Sequence, residues 1–339
     1  MSNHRNGILA AGNWIIDIVK IIDSFPQQES LVNILTQSKS NGGSPYNVLK
    51  DLANMNVAFP LEALGLVGND EQGDFILSDC KNHKISTLQL HTSAEKPTSY
   101  TDVMTVQSDG KRTFFHNRGA NALLNESHFQ FEKSNAKIFH LGYMLLLDSL
   151  DIIESDGRTG ASKIFQKAQQ AAFITTSDLV SENSDRFHSV ISPSLPYIDY
   201  LFVNEFEAEK ITGIHTTHDG QISIDNCAEA AKKILQMGVN QWVILHFPKG
   251  VIAVSKQNEV IKQGSLSLPK EKIAGSVGAG DAFAAGVLMG VHEGWSMQQS
   301  LELGVCTAAS SLFHPSCSEG VQDWHQCLQL KQVYQFGKI

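Results

Sequence analysis

Short apolar runs alternate with longer segments of helical spacing along most of this chain. Ile8–Ala11 is an apolar run closed by Gly12 and Asn13, and Ala63–Val67 is another, closed by Gly68-Asn69-Asp70. Lys137–Leu141, Ala171–Thr175, Tyr200–Val203 and Trp242–Leu245 repeat the pattern. Runs this short, bounded by turn residues, predict buried parallel strands. Between them, Tyr46–Met55 places Val48, Leu49, Leu52 and Ala53 on one side of a helix. Gly73–His83, Ser162–Ala172, Glu205–Thr212 and Asn226–Met237 also read as helices. The alternation predicts an α/β fold, a doubly wound sheet with ligands at the carboxyl ends of its strands.

Two regions break the alternation. Ile18–Gln37 has a looser pattern, with short β-favouring pieces interrupted by Pro26. In Tyr100–Phe115, Thr101, Val103, Thr105 and Gln107 alternate with Asp102, Met104 and Val106. Ser108-Asp109-Gly110 then predicts a hairpin turn, with Arg112–Phe115 returning as a strand. Asn41-Gly42-Gly43-Ser44-Pro45 is turn chemistry.

The 339 residues suit one large domain with an appendage or two domains, and 42% hydrophobic content supports a substantial core. A net charge of −9 gives no support to a nucleic-acid partner, which would want a basic face. There is no apolar run of membrane-spanning length, and polar Met1–Gly7 leads into an apolar run too short for a secretory signal. Five cysteines without metal-type spacing fit free thiols in a reducing cytoplasm.

The most informative stretch is Gly275–Gly290, where a glycine-rich turn runs into an apolar helix with Asp281 at the junction. The unpaired N–H groups and positive dipole end of such a helix bind anions, phosphate above all. A carboxylate there can take a proton from an attacking hydroxyl while the amides stabilise a transferring phosphoryl group. The same residues also suit a plain tight loop with a helix-capping aspartate. No Walker A lysine follows, and the dinucleotide spacing is absent.

Gly278-Ala279-Gly280-Asp281-Ala282-Phe283 resembles the C-terminal motif of the ribokinase-like (PfkB) carbohydrate kinases. Gly42-Gly43-Ser44-Pro45-Tyr46-Asn47-Val48 resembles their N-terminal motif, and the Gly65–Gly73 segment their strand and turn. Asn204-Glu205-Phe206-Glu207 resembles their Asn-x-x-Glu. The likeness covers nearly the whole chain. It implies a ribokinase-like, doubly wound, mostly parallel sheet with helices on both faces, plus a small β-sheet lid. Residues 18–40 and 96–119 would form the lid, and 1–17, 41–95 and 120–339 the core.

The resemblance implies ATP- and Mg²⁺-dependent phosphorylation of a primary hydroxyl on a small sugar, with a neutral ketose or pentose as the first expectation. Asp281 would be the general base, and Gly278, Ala279 and Gly280 the anion hole. Asn204 and Glu207 would hold Mg²⁺ through water; on their own spacing they read equally as a capping box. Asn204, Gly250, Gly278 and Gly280 would touch the nucleotide. Asp17, Gly42, Gly43 and Asn47 would hold the sugar, with Asn117 and Arg118 reaching its substituents. Lys111 and Arg112 lie on the same hairpin, where a cation suits an acidic or phosphorylated sugar. Asp178 falls where the family often has an aspartate near the phosphates. The family's habit of pairing lid sheets implies a homodimer.

Three places depart from the family. Gly275 stands where ribokinases carry a cation-binding aspartate, which predicts little stimulation by K⁺. Leu245-His246-Phe247 replaces a Thr-x-Gly at the nucleotide, before the turn Pro248-Lys249-Gly250. His314–Gly320 lacks the commonest adenine-side pattern. Two alternatives stay open: a nucleoside kinase with Tyr46, Phe114 and Phe115 as a wall for the base, and a sugar-binding regulatory protein that has lost catalysis.

Overall fold

The computed structural model describes residues 5–339. Residues 1–4, which begin the polar N-terminal stretch and the expected 1–17 core segment, lie outside the described residues.

The chain opens with β1 (Ile8–Gly12), β2 (Ile15–Ile22), β3 (Ile34–Gly42) and α1 (Ser44–Asn54). Next come β4 (Leu61–Gly68), α2 (Glu71–Asn82), β5 (Ile85–Ser93), β6 (Ser99–Val106) and β7 (Arg112–Asn117). The middle holds β8 (Ile138–Met144), α3 (Gly160–Gln170), β9 (Ile174–Leu179), α4 (Phe187–Ile191), β10 (Tyr200–Asn204) and α5 (Glu205–Thr212). A short hairpin, β11 (Thr217–His218) and β12 (Gln221–Ile222), leads to α6 (Ile224–Gln236). The chain ends with β13 (Trp242–Phe247), β14 (Gly250–Ser255), β15 (Val260–Gly264), α7 (Ala279–Glu293), α8 (Met297–Ser311) and α9 (Trp324–Val333).

Nine strands form the main sheet in the order β15-β14-β13-β10-β9-β8-β1-β4-β5. From β13 to β5 all neighbours pair parallel; β14 and β15 are antiparallel additions. Successive side chains of a strand point to opposite faces. Leu9 and Ala11 accordingly enter one core with Ile164, Ala208 and Ile234, while Ile8 and Ala10 enter another with Leu49, Leu288 and Leu301. Helices thus cover both faces. The second core fixes α7: its side chains from Ala282 to His292 are buried, each large apolar one contributing about 1.5–3 kcal/mol. That burial fixes the helix start beside the carboxyl ends of the central strands.

The region with the loose pattern forms two regular strands, β2 and β3. They join β6 and β7 in a separate four-stranded sheet, order β3-β2-β6-β7. Its outer pairs are antiparallel and its central pair, β2 with β6, is parallel. Asp70 anchors this sheet: its carboxylate caps α2 through Gly73 N (2.8 Å) and accepts from Thr98 N (2.7 Å) at the start of β6.

One expected strand is displaced. Ala171–Thr175 was the apolar run, yet β9 begins at Ile174. Ala171 closes α3, and Ala172 turns the chain at φ 61°. The strand instead carries buried hydroxyls whose hydrogen bonds satisfy them: Thr175 Oγ1 donates to Tyr197 O and Ser177 Oγ to Leu141 O, each at 2.7 Å.

Among the described residues no helix is long and apolar enough to cross a membrane. The cysteines are all free and buried.

Candidate active site

The carboxyl ends of β8, β9, β10 and β13 meet the start of α7. A cavity of about 190 Å³ opens there, lined by Tyr143, Asp178, Asn204, Glu207, His246 and Asp281 among others. Gly278 caps α7 in the left-handed region, φ 75°. A Cβ at that position would lie 2.8 Å from Cys317, so glycine is required both for the turn and for the close approach. The N–H groups of Ala279, Gly280 and Asp281 open the helix without intrahelical partners, at its positive end.

Asp281 is buried, and its carboxylate does not cap its own helix. Asn47 Nδ2 donates to Oδ2 at 2.7 Å. The Tyr143 hydroxyl donates to Oδ2 at 2.9 Å and reaches Oδ1 at 3.2 Å. Burial and the neighbouring Asp178 push its pKa up to about 8, partly offset by these two donors. A buried carboxyl raised toward neutrality is better matched to taking a proton from an alcohol than an ordinary aspartate.

Asp178 is held at both oxygens. Tyr143 N donates to Oδ1 (2.8 Å) and the Ser44 hydroxyl to Oδ2 (2.6 Å). Ser44 also lies 3.1 Å from His140 Nε2, beneath the cavity.

Asn204 and Glu207 form a complete capping box at the start of α5. Asn204 Oδ1 accepts from Glu207 N (2.8 Å), and Glu207 Oε2 from Asn204 N (2.9 Å). Ser181 Oγ bridges the pair, donating to Glu207 Oε1 (2.9 Å) and accepting from Asn204 Nδ2 (2.7 Å). Burial, above all, raises Glu207 to about 7. Both residues also line the cavity. Capping and cavity lining are therefore compatible. These all-oxygen groups suit a hard cation held through water, because direct ligation would break the box. No cluster of three or more His, Cys, Asp or Glu side chains forms a direct metal site among the described residues.

Of the residues expected to hold a sugar, Asp17 lies in β2, opposite Thr101 of β6 and Ser40 of β3. Burial raises its pKa to about 7. Gly42 packs against it so closely that a Cβ would meet Asp17 Oδ1 at 2.5 Å. Gly43 caps α1, and Asn47, in the first turn, carries the chain of contacts to Asp281. Asn41 Nδ2 donates in turn to Asn47 Oδ1 (2.7 Å) and Ser318 Oγ (2.8 Å).

Other expected residues are engaged elsewhere. Asn117 Oδ1 accepts from Gly119 N (2.9 Å) in the turn after β7. Arg118 pairs with Asp148 (3.1 Å) and Glu182 (3.5 Å). Gly250 starts β14 and does not line the cavity. Tyr46 cannot serve as a wall for a base: it is fully buried, stacked on Trp14, with its hydroxyl on Asp79. Phe114 and Phe115 are exposed on the small sheet. Arg112 is part-buried and makes no side-chain hydrogen bond or ion pair within the described residues.

Tyr143, His246 and the bridging Ser181 are cavity residues to which the sequence assigns no role. Tyr143 is the penultimate residue of β8, and only its place at a strand's carboxyl end in a doubly wound sheet marks it. His246 sits beside Asn204 in register. Its ring packs on Phe283, and burial pushes its pKa down to about 4, so it is neutral.

Residues 6–324 match the family model described as pfkB family carbohydrate kinase. Among curated proteins, adenosine kinase 2 of Arabidopsis thaliana is 22% identical, covering 93% of this chain and 96% of its own length. The ATP-dependent 6-phosphofructokinase of Thermoanaerobacterium thermosaccharolyticum is 25% identical over 98% of this chain and 95% of its own. Among solved structures, an Arabidopsis thaliana ribokinase complexed with ribose and ATP superposes with a TM-score of 0.78 at 20% identity, covering 96% of this chain and 98% of that one.

Proposed function

The chain belongs to the pfkB family of carbohydrate kinases, and from that premise we propose that it moves the γ-phosphoryl group of ATP onto a primary hydroxyl of a small sugar. One observation carries the reading. A buried carboxylate, Asp281, stands at the start of α7 and is hydrogen-bonded to Asn47 of the opposite, sugar-side motif. ATP as donor is supported by the ribokinase relative that is complexed with it.

The sugar's hydroxyl oxygen attacks the γ-phosphorus as the bond to the β-phosphate oxygen breaks, and ADP leaves. Asp281 takes the hydroxyl proton. The amides of Ala279, Gly280 and Asp281 stabilise charge on the moving group. Asn204 and Glu207 would hold Mg²⁺ through water, and the cation would supply charge neutralisation on the phosphates. Asp17 accepts from sugar hydroxyls, and Gly42 and Gly43 let the ring lie against backbone. The four-stranded sheet acts as a lid that closes over the sugar and excludes water. Its exposed Ile34, Leu35, Phe114 and Phe115 support pairing of two lids in a homodimer.

A second acceptor class rests on Arg112. In register, Arg112 opposes Thr105, two pleats along β6 from Thr101, and so lies on the face that carries Asp17. A part-buried guanidinium that forms no ion pair within the described residues favours an acidic or phosphorylated sugar.

ADP release from Mg-ATP against neutral sugars, sugar acids, phosphorylated sugars and adenosine tests the reading. One acceptor class that drives turnover supports it and names the substrate. Adenosine as the sole good acceptor would replace the sugar with a nucleoside. Sugar binding without any ADP release would overturn it.

A further inference from the structure

We propose that Tyr143 is a gate on the base: without sugar its hydroxyl occupies the acceptor's place on Asp281, and the arriving sugar hydroxyl displaces it. The inference rests on Asp281 being the base.

A phenol presents the same O–H donor as the alcohol the base must receive. Here it straddles both carboxylate oxygens, at 2.9 and 3.2 Å. Asn47 already occupies Oδ2, and Asp281 is only 4% exposed. An acceptor hydroxyl therefore reaches the carboxylate most directly by taking over the Tyr143 bond. Tyr143 and Asp281 line the same cavity, so the phenol meets the base at the wall of the proposed place of transfer.

The backbone holds the gate in place. Tyr143 adopts φ 56° and Leu145 φ 80°, left-handed conformations that non-glycine residues keep only where their surroundings enforce them. Tyr143 N is tied to Asp178 Oδ1 at 2.8 Å. The Leu145 carbonyl accepts from both Arg118 and Arg186. Arg118 directly follows β7, the last strand of the small sheet, so the turn is linked to the lid. Burial and the nearby Asp281 keep the phenol protonated, and hence always a donor.

A gate of this kind protects ATP. While the phenol is seated, water cannot take the same position and be activated against the phosphate. A purely structural tyrosine would leave hydrolysis unaffected.

The test is ADP release from Mg-ATP alone, by full-length wild type, Tyr143→Phe and Tyr143→Leu, with thermal midpoints confirming that each variant folds. The gate requires severalfold faster acceptor-free ADP release in the folded variants, abolished when Asp281→Asn is added. It also requires a lower KM for the acceptor, since the competing hydroxyl is gone. The rise of kcat/KM with pH moves to higher pH, because Asp281 loses a donor that lowers its pKa. Acceptor-free release equal to or below wild type would overturn the gate. If Asp281→Asn alone keeps its sugar turnover, the base assignment fails instead, and the two failures are thereby told apart.

Discussion

Asn47 Nδ2 lies 2.7 Å from Asp281 Oδ2, across 234 residues of sequence. This bond joins α1, which Gly43 caps, to α7, which Gly278 caps. In the proposed function this one amide–carboxylate bond holds the acceptor and phosphate halves of the transfer in register. Proximity of this sort is a large part of what an enzyme contributes to such a reaction.

Asn47→Ala removes a hydrogen bond to a charged group, a class that contributes about 1.5–3 kcal/mol. A loss of about 10- to 100-fold in acceptor kcat/KM is expected, with the fold retained. Steady-state kinetics and a melting curve on the same preparation check it.

Activity should depend on pH through Asp281, which must be ionised to accept a proton. Its pKa is raised to about 8, so kcat/KM climbs with pH and levels off only above that value. An ordinary aspartate would give a flat profile above pH 5 or so. Acceptor kcat/KM measured at subsaturating Mg-ATP across the range from weakly acid to alkaline distinguishes the two.

Gly278→Ala puts a side chain on a left-handed residue and drives its Cβ to 2.8 Å from Cys317. The helix start must shift, and with it the amides meant for the phosphate. Activity should fall much further than stability, which activity and melting measurements on one sample can compare.

Asp51 is fully buried in α1, and neither of its oxygens makes a hydrogen bond within the described residues; the Ser318 hydroxyl is nearby but outside bonding geometry. Burial raises its pKa well above the ordinary carboxylate value. A carboxyl that is raised on folding stabilises fully below its unfolded pKa of about 4, and the benefit is lost as pH rises toward the folded value. Asp17, Glu207 and Asp281 are raised as well, so the protein should melt lower at pH 8 than at pH 5. Asp51→Asn should shrink that difference. An unchanged difference would mean that Asp51 titrates alike in both states.

Ribokinases hold a monovalent cation with an aspartate where this chain has Gly275. A Cβ at Gly275 would already lie 2.8 Å from Pro315. Replacing Na⁺ with K⁺ should leave turnover unchanged, and a many-fold rise would show a cation site built from other residues.

The glycine-rich turn, Asp281, the Asn204–Glu207 pair and the main sheet were legible because each rests on local pattern: glycines before an apolar helix, a capping box, short buried strands. β9 was misplaced because its buried positions are hydroxyls that satisfy themselves across the sheet, as Thr175 and Ser177 do. Periodicity of apolar residues cannot register such positions. Tyr143 was illegible for another reason. The role proposed for it depends on a left-handed turn and on a carboxylate 138 residues away, neither of which leaves a trace in spacing. Arg118 and Asn117 carry the right chemistry for a sugar, but their partners, Asp148, Glu182 and Gly119, are set by tertiary placement.

The most direct measurement is ADP release by wild type and Asp281→Asn at saturating Mg-ATP and the best acceptor. Loss of about 10²- to 10⁴-fold in turnover, with acceptor binding and melting temperature preserved, is the result expected of a general base. An Asp281→Asn enzyme that turns over near the wild-type rate would contradict the assignment of Asp281 as the base.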